Sequence, residues 1–205
     1  MPTFVALLRG INNIGRSKRV LMADLRSLLS RLGYSDVATV GNSGNAVFRA
    51  SSGTPAEHAA NIASAIFAQL EIQVPVIVKS ARELRGVLSE NPIKARTDEH
   101  SRFLIAFAQD RKALSTLDAL KPLVVPPEVF VVGKSAAYMF CAAGVAESRA
   151  GRALIGRAGG AITTRNLATV LKLHALATPN PSVERTSAGK LLSPAAAAHL
   201  KRQPT

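Results

Sequence analysis

The chain has 205 residues, 47% of them hydrophobic, enough for one large domain or two small halves packed together. No apolar run approaches the roughly 18 residues of a membrane-spanning helix, the opening MPTFVALLRG lacks the basic start of a secretion signal, and a single cysteine, Cys141, excludes an internal disulfide framework and points to the reducing cytosol. The 26 Lys+Arg against 13 Asp+Glu, net +13, favour either anionic partners or a solvated basic surface, while 4% aromatics with no tryptophan argue against a base-stacking reader of single strands.

In chain order, Thr3–Leu8 is a short apolar run with the pattern of a buried strand. A polar loop rich in Asn, Gly, Arg and Lys follows. From Val20 the leucines Leu21, Leu25, Leu28 and Leu32 recur on one helical stripe, and Gly33 sits where a helix C′ residue belongs. Residues 36–40 and 45–48 read as two strands around Gly41-Asn42-Ser43-Gly44, a hairpin signal. Thr54-Pro55-Ala56-Glu57 is a capping box with proline at the first helical position, and Ile62, Ile66 and Leu70 continue that helix. Residues 74–78 (VPVIV) are the next strand, with Pro75 at an edge or a strand start. The order βαββαβ predicts a ferredoxin-like split motif, with both helices on one face of an antiparallel sheet.

Ser80-Ala81-Arg82-Glu83 is a second capping box, and Asn91-Pro92 stops its helix. After a polar link over 93–100 the pattern restarts: a strand at 103–108, a helix at 110–120, strands at 129–132 and 137–142 around Gly133-Lys134-Ser135, and a helix at 148–156. A last helix over 164–177 carries Leu167, Val170, Leu171 and His174 on one face. The expected fold class is α+β: two ferredoxin-like (βαββαβ-type) halves packed side by side, the second a degenerate βαββα copy with an extra C-terminal helix. The expected division is one half over 1–92, a second over 93–177, and a linker with a flexible basic tail over 178–205, where Pro, Ser, Ala and Lys dominate.

LLRGIN at 7–12, MADLRSLLSRLGY at 22–34, SGNAVF at 43–48, VPVIVKS at 74–80 and TTRNLATVLKL at 163–173 occur in that order. Together they resemble the bacterial family called domain of unknown function 1697. The resemblance implies an α+β protein with ferredoxin-like halves and no settled activity. Leu167 stands where that family usually carries tryptophan.

Catalytic constellations are poor. His58, His100, His174 and His199 lie at metal-ligand spacing neither to one another nor to Cys141, so no metal is expected. His174 reads as a packed core histidine, and Cys141, inside the apolar run AYMFCAA, as a small core residue. The loop after the first strand matches neither a Walker loop nor a dinucleotide fingerprint, and no cofactor is expected.

The positive charge remains. Arg9 ends the first strand, and Asn12 and Lys18 lie in a loop leading into a helix, where amides and the helix dipole favour an anion. Alternatively Asn12, Asn13 and Gly15 merely shape a long turn. Ser43 and Asn45 flank a glycine in the hairpin, which reads as lying at the opposite sheet end from Arg9. With Thr164 as N-cap of the last helix, Arg165 and Asn166 fall in its first turn, where an arginine opposes the dipole unless an anion or a carboxylate sits there. The ligand-binding candidates are therefore Arg9, Asn12, Lys18, Ser43, Asn45, Thr164, Arg165 and Asn166. Three cytoplasmic, non-membrane functions fit: a binding module for a phosphate-bearing small molecule or nucleic acid, an enzyme acting on a small anionic metabolite, or an interaction protein forming a homodimer through an open sheet edge.

Overall fold

The structure, a computed structural model, describes residues 1–11, 20–157 and 161–178. It contains two four-stranded antiparallel sheets and six α-helices. The first sheet comprises β1 (Thr3–Leu8), β2 (Ser35–Thr39), β3 (Asn45–Arg49) and β4 (Val76–Ser80), ordered β2-β3-β1-β4. Helix α1 (Met22–Arg31) connects β1 to β2, α2 (Pro55–Leu70) connects β3 to β4, and α3 (Ala81–Glu90) follows β4. Both expected capping boxes form. Thr54 and Ser80 each accept the backbone N–H three residues on, from Glu57 at 3.3 Å and Glu83 at 3.2 Å.

Strand alternation sorts β1 between two cores. Phe4, Ala6 and Leu8 face α1 and α2, packing on Leu25, Leu29, Ile62 and Ile66; Val5 and Leu7 face the other way. Burial on both faces is why TFVALL is apolar without interruption. The stripe of α1 is rotated from its expected position: Leu29 is buried, whereas Leu21 caps the helix and is exposed.

The second sheet comprises β5 (Phe103–Ala108), β6 (Val129–Val132), β7 (Ala137–Phe140) and β8 (Ile162–Asn166), ordered β6-β7-β5-β8. This is the strand order of the first sheet repeated. Helix α4 (Arg111–Ser115) continues as a 3-10 helix to Leu123, and α5 (Arg149–Arg157) precedes β8. Leu114, Leu117, Leu120 and Leu154 cover the outer face of this sheet against Leu104, Ala106 and Met139.

The last segment corrects the sequence expectation. A single helix over 164–177 does not form. Residues 162–166 are strand β8, paired antiparallel to β5 from Leu104↔Asn166 to Ala108↔Ile162, and α6 (Leu167–Ala177) begins only after it. Ile162, Thr163 and Thr164 are β-branched and suit a pleated surface, and the free edge of β5 supplies backbone partners that an isolated helical turn lacks. Asn166, not Thr164, is the N-cap; its side chain accepts the Thr169 N–H at 2.9 Å. The second sheet thus has all four strands and is not the degenerate copy expected. The buried stripe of α6 is Leu167, Val170, Leu173 and Ala177. His174 is not a core residue: it is half-buried, with Nε2 3.4 Å from Thr178 Oγ1.

Helices α3 and α6 share one core with the inner faces of both sheets. Leu84, Val87, Leu167, Val170 and Leu173 pack with Val5, Leu7 and Ile77 of the first sheet and Phe103, Ile105 and Phe107 of the second. Burying each such side chain contributes about 1.5–3 kcal/mol. Polar contacts also link the segments around the two sheets. Tyr138 Oη donates to Val87 O at 2.7 Å, Ser135 N donates to the Glu90 carboxylate at 3.0 Å, and Val78 N on the β4 edge donates to Gln109 Oε1 at 3.3 Å. Among the described residues, no helix is long and apolar enough to cross a membrane.

Candidate functional site

Antiparallel pairing of β1 with β3 sets Leu7 opposite Asn45, so the end of β1 lies beside the β2–β3 hairpin. Leu8 N donates to Gly44 O at 2.8 Å. The two were expected at opposite sheet ends; the antiparallel register places them together. Gly44 has φ +70°, and a Cβ there would stand 2.6 Å from Ile11 Cδ1 and 2.7 Å from Leu8 Cβ, so both conformation and space require glycine.

Arg165 of β8 reaches into this corner. It lies opposite Ile105, whose side chain is in the shared core, and is only 9% exposed. Its Nε donates to Asn45 Oδ1. Nη1 donates to Thr163 Oγ1 at 2.9 Å and to Thr164 O at 2.7 Å. Nη2 donates to Leu8 O at 2.5 Å and to Ser43 O at 3.0 Å. A guanidinium has five N–H donors, and all five are taken by uncharged acceptors. Burial lowers the Arg165 pKa to about 10, which leaves the side chain charged at neutral pH. Asn45 is itself fixed by donating from Nδ2 to Val40 O at 3.0 Å.

The structure therefore gathers Ser43, Asn45, Thr164 and Arg165 in one hydrogen-bonded node. Arg9 is adjacent and half-buried, its N–H donating to Pro75 O at 3.0 Å. Asn166 is committed to capping α6. Asn12 and Lys18 lie outside the described residues.

A second cation occupies the corresponding place in the first sheet. Lys79 sits on β4 opposite Val5, one residue before Ser80 caps α3, as Arg165 sits on β8 one residue before Asn166 caps α6. Lys79 is also 9% exposed. Unlike that of Arg165, its side chain makes no hydrogen bond or close ion pair among the described residues. It opens on a cleft of about 350 Å³ between β4–α3 and the β5–α4 junction, lined by Arg82, Glu83, Asp110, Arg111 and Lys134. Burial holds the Lys79 amine below the usual lysine range, partly opposed by Glu83 and Asp110. Both carboxylates are also engaged at helix starts: Glu83 accepts Ser80 N at 2.7 Å, and Asp110 accepts Ala113 N at 2.8 Å. Four cations thus line the cleft against two carboxylates that already accept backbone N–H groups.

Lys79 was not singled out from sequence. A signal was present in VPVIVKS, where strand alternation puts Lys79 on the same inward face as Ile77. A charge at a core-facing position of an apolar strand marks a desolvated group.

His58 was likewise passed over. It is 4% exposed, within 2.9 Å of Tyr34 Oη through Nδ1, and ringed by Phe4 and Phe48. Its Nε2 is buried without a hydrogen-bond partner among the described residues. Burial lowers its pKa, which keeps the ring neutral at physiological pH. Among the described residues, no cluster of three or more His, Cys, Asp or Glu could hold a metal ion.

The fold has a solved counterpart. The conserved bacterial protein SP0830 from Streptococcus pneumoniae is similar at a TM-score of 0.71 and 22% identity, over 86% of this chain and 99% of that one. At that identity the likeness is one of fold. No curated protein matches the chain. The family model described as "Protein of unknown function (DUF1697)" matches residues 1–138, a span that includes both the Ser43–Asn45 hairpin and Lys79, and the chain belongs to that family.

Proposed function

We propose that this protein binds a small phosphate- or carboxylate-bearing molecule in the cleft beside Lys79, at the junction of two ferredoxin-like halves over 1–92 and 93–177. One observation carries the reading: Lys79 is nine-tenths buried, yet its side chain makes no hydrogen bond or close ion pair among the described residues. The stem of Lys79 is buried and its ammonium opens on the cleft. Arg165, equally buried at the equivalent place, has every donor occupied. A ligand anion supplies what Lys79 lacks, and Arg82, Arg111 and Lys134 around the same space add charge.

The cleft, about 350 Å³, is at the small end of the roughly 300–1,000 Å³ typical of ligand sites. That size suits a metabolite better than a nucleic-acid strand. In this reading Arg165, Ser43, Asn45 and Thr164 form a structural node rather than a ligand site. They fix the end of β1, beside Arg9.

The test is thermal unfolding with inorganic phosphate and with pyrophosphate, for the wild type and Lys79→Met. Methionine keeps the length and removes the charge. A ligand at a hundred times its Kd stabilises by about 2.7 kcal/mol, so the wild type is expected to melt higher with the anion while Lys79→Met does not respond. Equal responses, or none at any anion concentration, overturn the reading.

A further inference from the structure

We infer that Lys79 is a nucleophile that forms an imine with a small carbonyl compound bearing an anionic group, the 2-oxo acid class. The inference rests on the anion-binding reading of the same cleft and adds a covalent step to it. Lys79 is the one buried lysine among the described residues. It stands on β4, held by pairing with β1, so its amine has a fixed origin and direction. No hydrogen bond or ion pair among the described residues ties that amine, and it faces a cleft of about 350 Å³.

Burial disfavours the ammonium form, partly opposed by Glu83 and Asp110. Arg82, Arg111 and Lys134 also line the cleft. The same cations would hold the carboxylate of a 2-oxo acid. Glu83 and Asp110, both on the cleft wall and both coupled electrostatically to Lys79, are placed to carry protons.

The step balances without redox. The neutral amine adds to the carbonyl carbon and forms a C–N bond as the C=O π bond breaks, the nitrogen gives up a proton and the oxygen gains one, leaving a neutral carbinolamine. Proton delivery to that hydroxyl expels water as the nitrogen lone pair forms the C=N bond. Amine and carbonyl give imine and one water. Borohydride then adds hydride to the imine carbon and leaves a stable secondary amine.

The experiment uses the full chain, briefly incubated with pyruvate near neutral pH, treated with sodium borohydride, and mapped by peptide mass spectrometry. The expected result is reduced adduct concentrated on Lys79 over the exposed Lys112 and Lys121, suppressed by added phosphate. Lys79→Arg keeps the charge and has no amine to trap; it is expected to retain phosphate stabilisation and lose the adduct. Labelling spread evenly over the lysines, or none at Lys79, overturns the imine. If phosphate still stabilises the wild type but not Lys79→Met, the anion-binding reading survives that failure.

Discussion

Lys79 and Arg165 hold the same position in two sheets of identical strand order, one residue before the cap of the following helix, and both are 9% exposed. One side chain makes five hydrogen bonds and the other makes none among the described residues. Equal burial with opposite satisfaction leads to opposite mutational outcomes.

Arg165→Met is expected to destabilise by about 3 kcal/mol or more, because it orphans several buried acceptors, each worth roughly 1–3 kcal/mol when left unpaired. Lys79→Met removes a charge that makes no side-chain hydrogen bond or ion pair among the described residues and opens on a cleft, and is expected to leave stability unchanged or raise it. Urea unfolding of both variants checks the pair. Equal losses in the two would show that Lys79 is a structural cation like Arg165.

Gly44→Ala is expected to cost about 2–4 kcal/mol, combining a positive φ with overpacking against Leu8 and Ile11. Gly41 in the same hairpin also has a positive φ, but nothing lies within 4 Å of its Cβ direction. Gly41→Ala is therefore expected to cost only about 1 kcal/mol. Denaturation midpoints of the two variants measure the packing contribution by difference.

His58 makes stability depend on pH. Its folded pKa lies below the ordinary 6.5, because burial disfavours the charged ring. Between the folded value and 6.5 the unfolded chain binds more protons, so stability rises with pH across that window. The contribution is complete above 6.5 and is lost as pH falls through the folded value. Against His58→Phe, which keeps an aromatic ring beside Phe4 and Phe48, the wild type is expected to lose relative stability on acidification below 6.5. Unfolding free energies at several pH values give the difference curve; a flat difference removes His58 as the source.

Cys141 is fully buried, and burial pushes its thiol pKa up. A thiol reagent is expected to label it only at the rate of unfolding. The neighbouring Gly151 is a second probe: a Cβ there would lie 2.8 Å from Cys141 Sγ and 3.1 Å from Ser148 Oγ. Gly151→Ala is expected to cost about 1–3 kcal/mol by overpacking and to speed the labelling. Rapid modification of the native wild type would contradict the packing described.

The parts legible in sequence are those set by neighbours along the chain. The capping boxes at Thr54 and Ser80 each close within three residues, and the alternation of TFVALL is a property of a strand whatever lies beside it. Where a segment's partner is distant, the local signal misled. Thr163 to Asn166 continues a helical pattern, yet the open edge of β5 takes it as a strand. With it, Arg165 leaves the first turn of a helix and fills its donors from Asn45 and Leu8, 120 and 157 residues away along the chain.

By itself, then, the sequence determined most of the strands and helices around both sheets, the caps and the hairpin glycine, because these depend on local sterics and short-range hydrogen bonding. Tertiary structure alone decided which of many cations were buried and which of those were satisfied. Whether Lys79 faces solvent or a cleft depends on what packs against the edge of β4, and that neighbour, the β5–α4 junction at Asp110 and Arg111, is brought there by the core that α3 and α6 share with both sheets. Desolvation is a property of the assembled neighbourhood, and a chain of amino acids read in order carries no direct record of it.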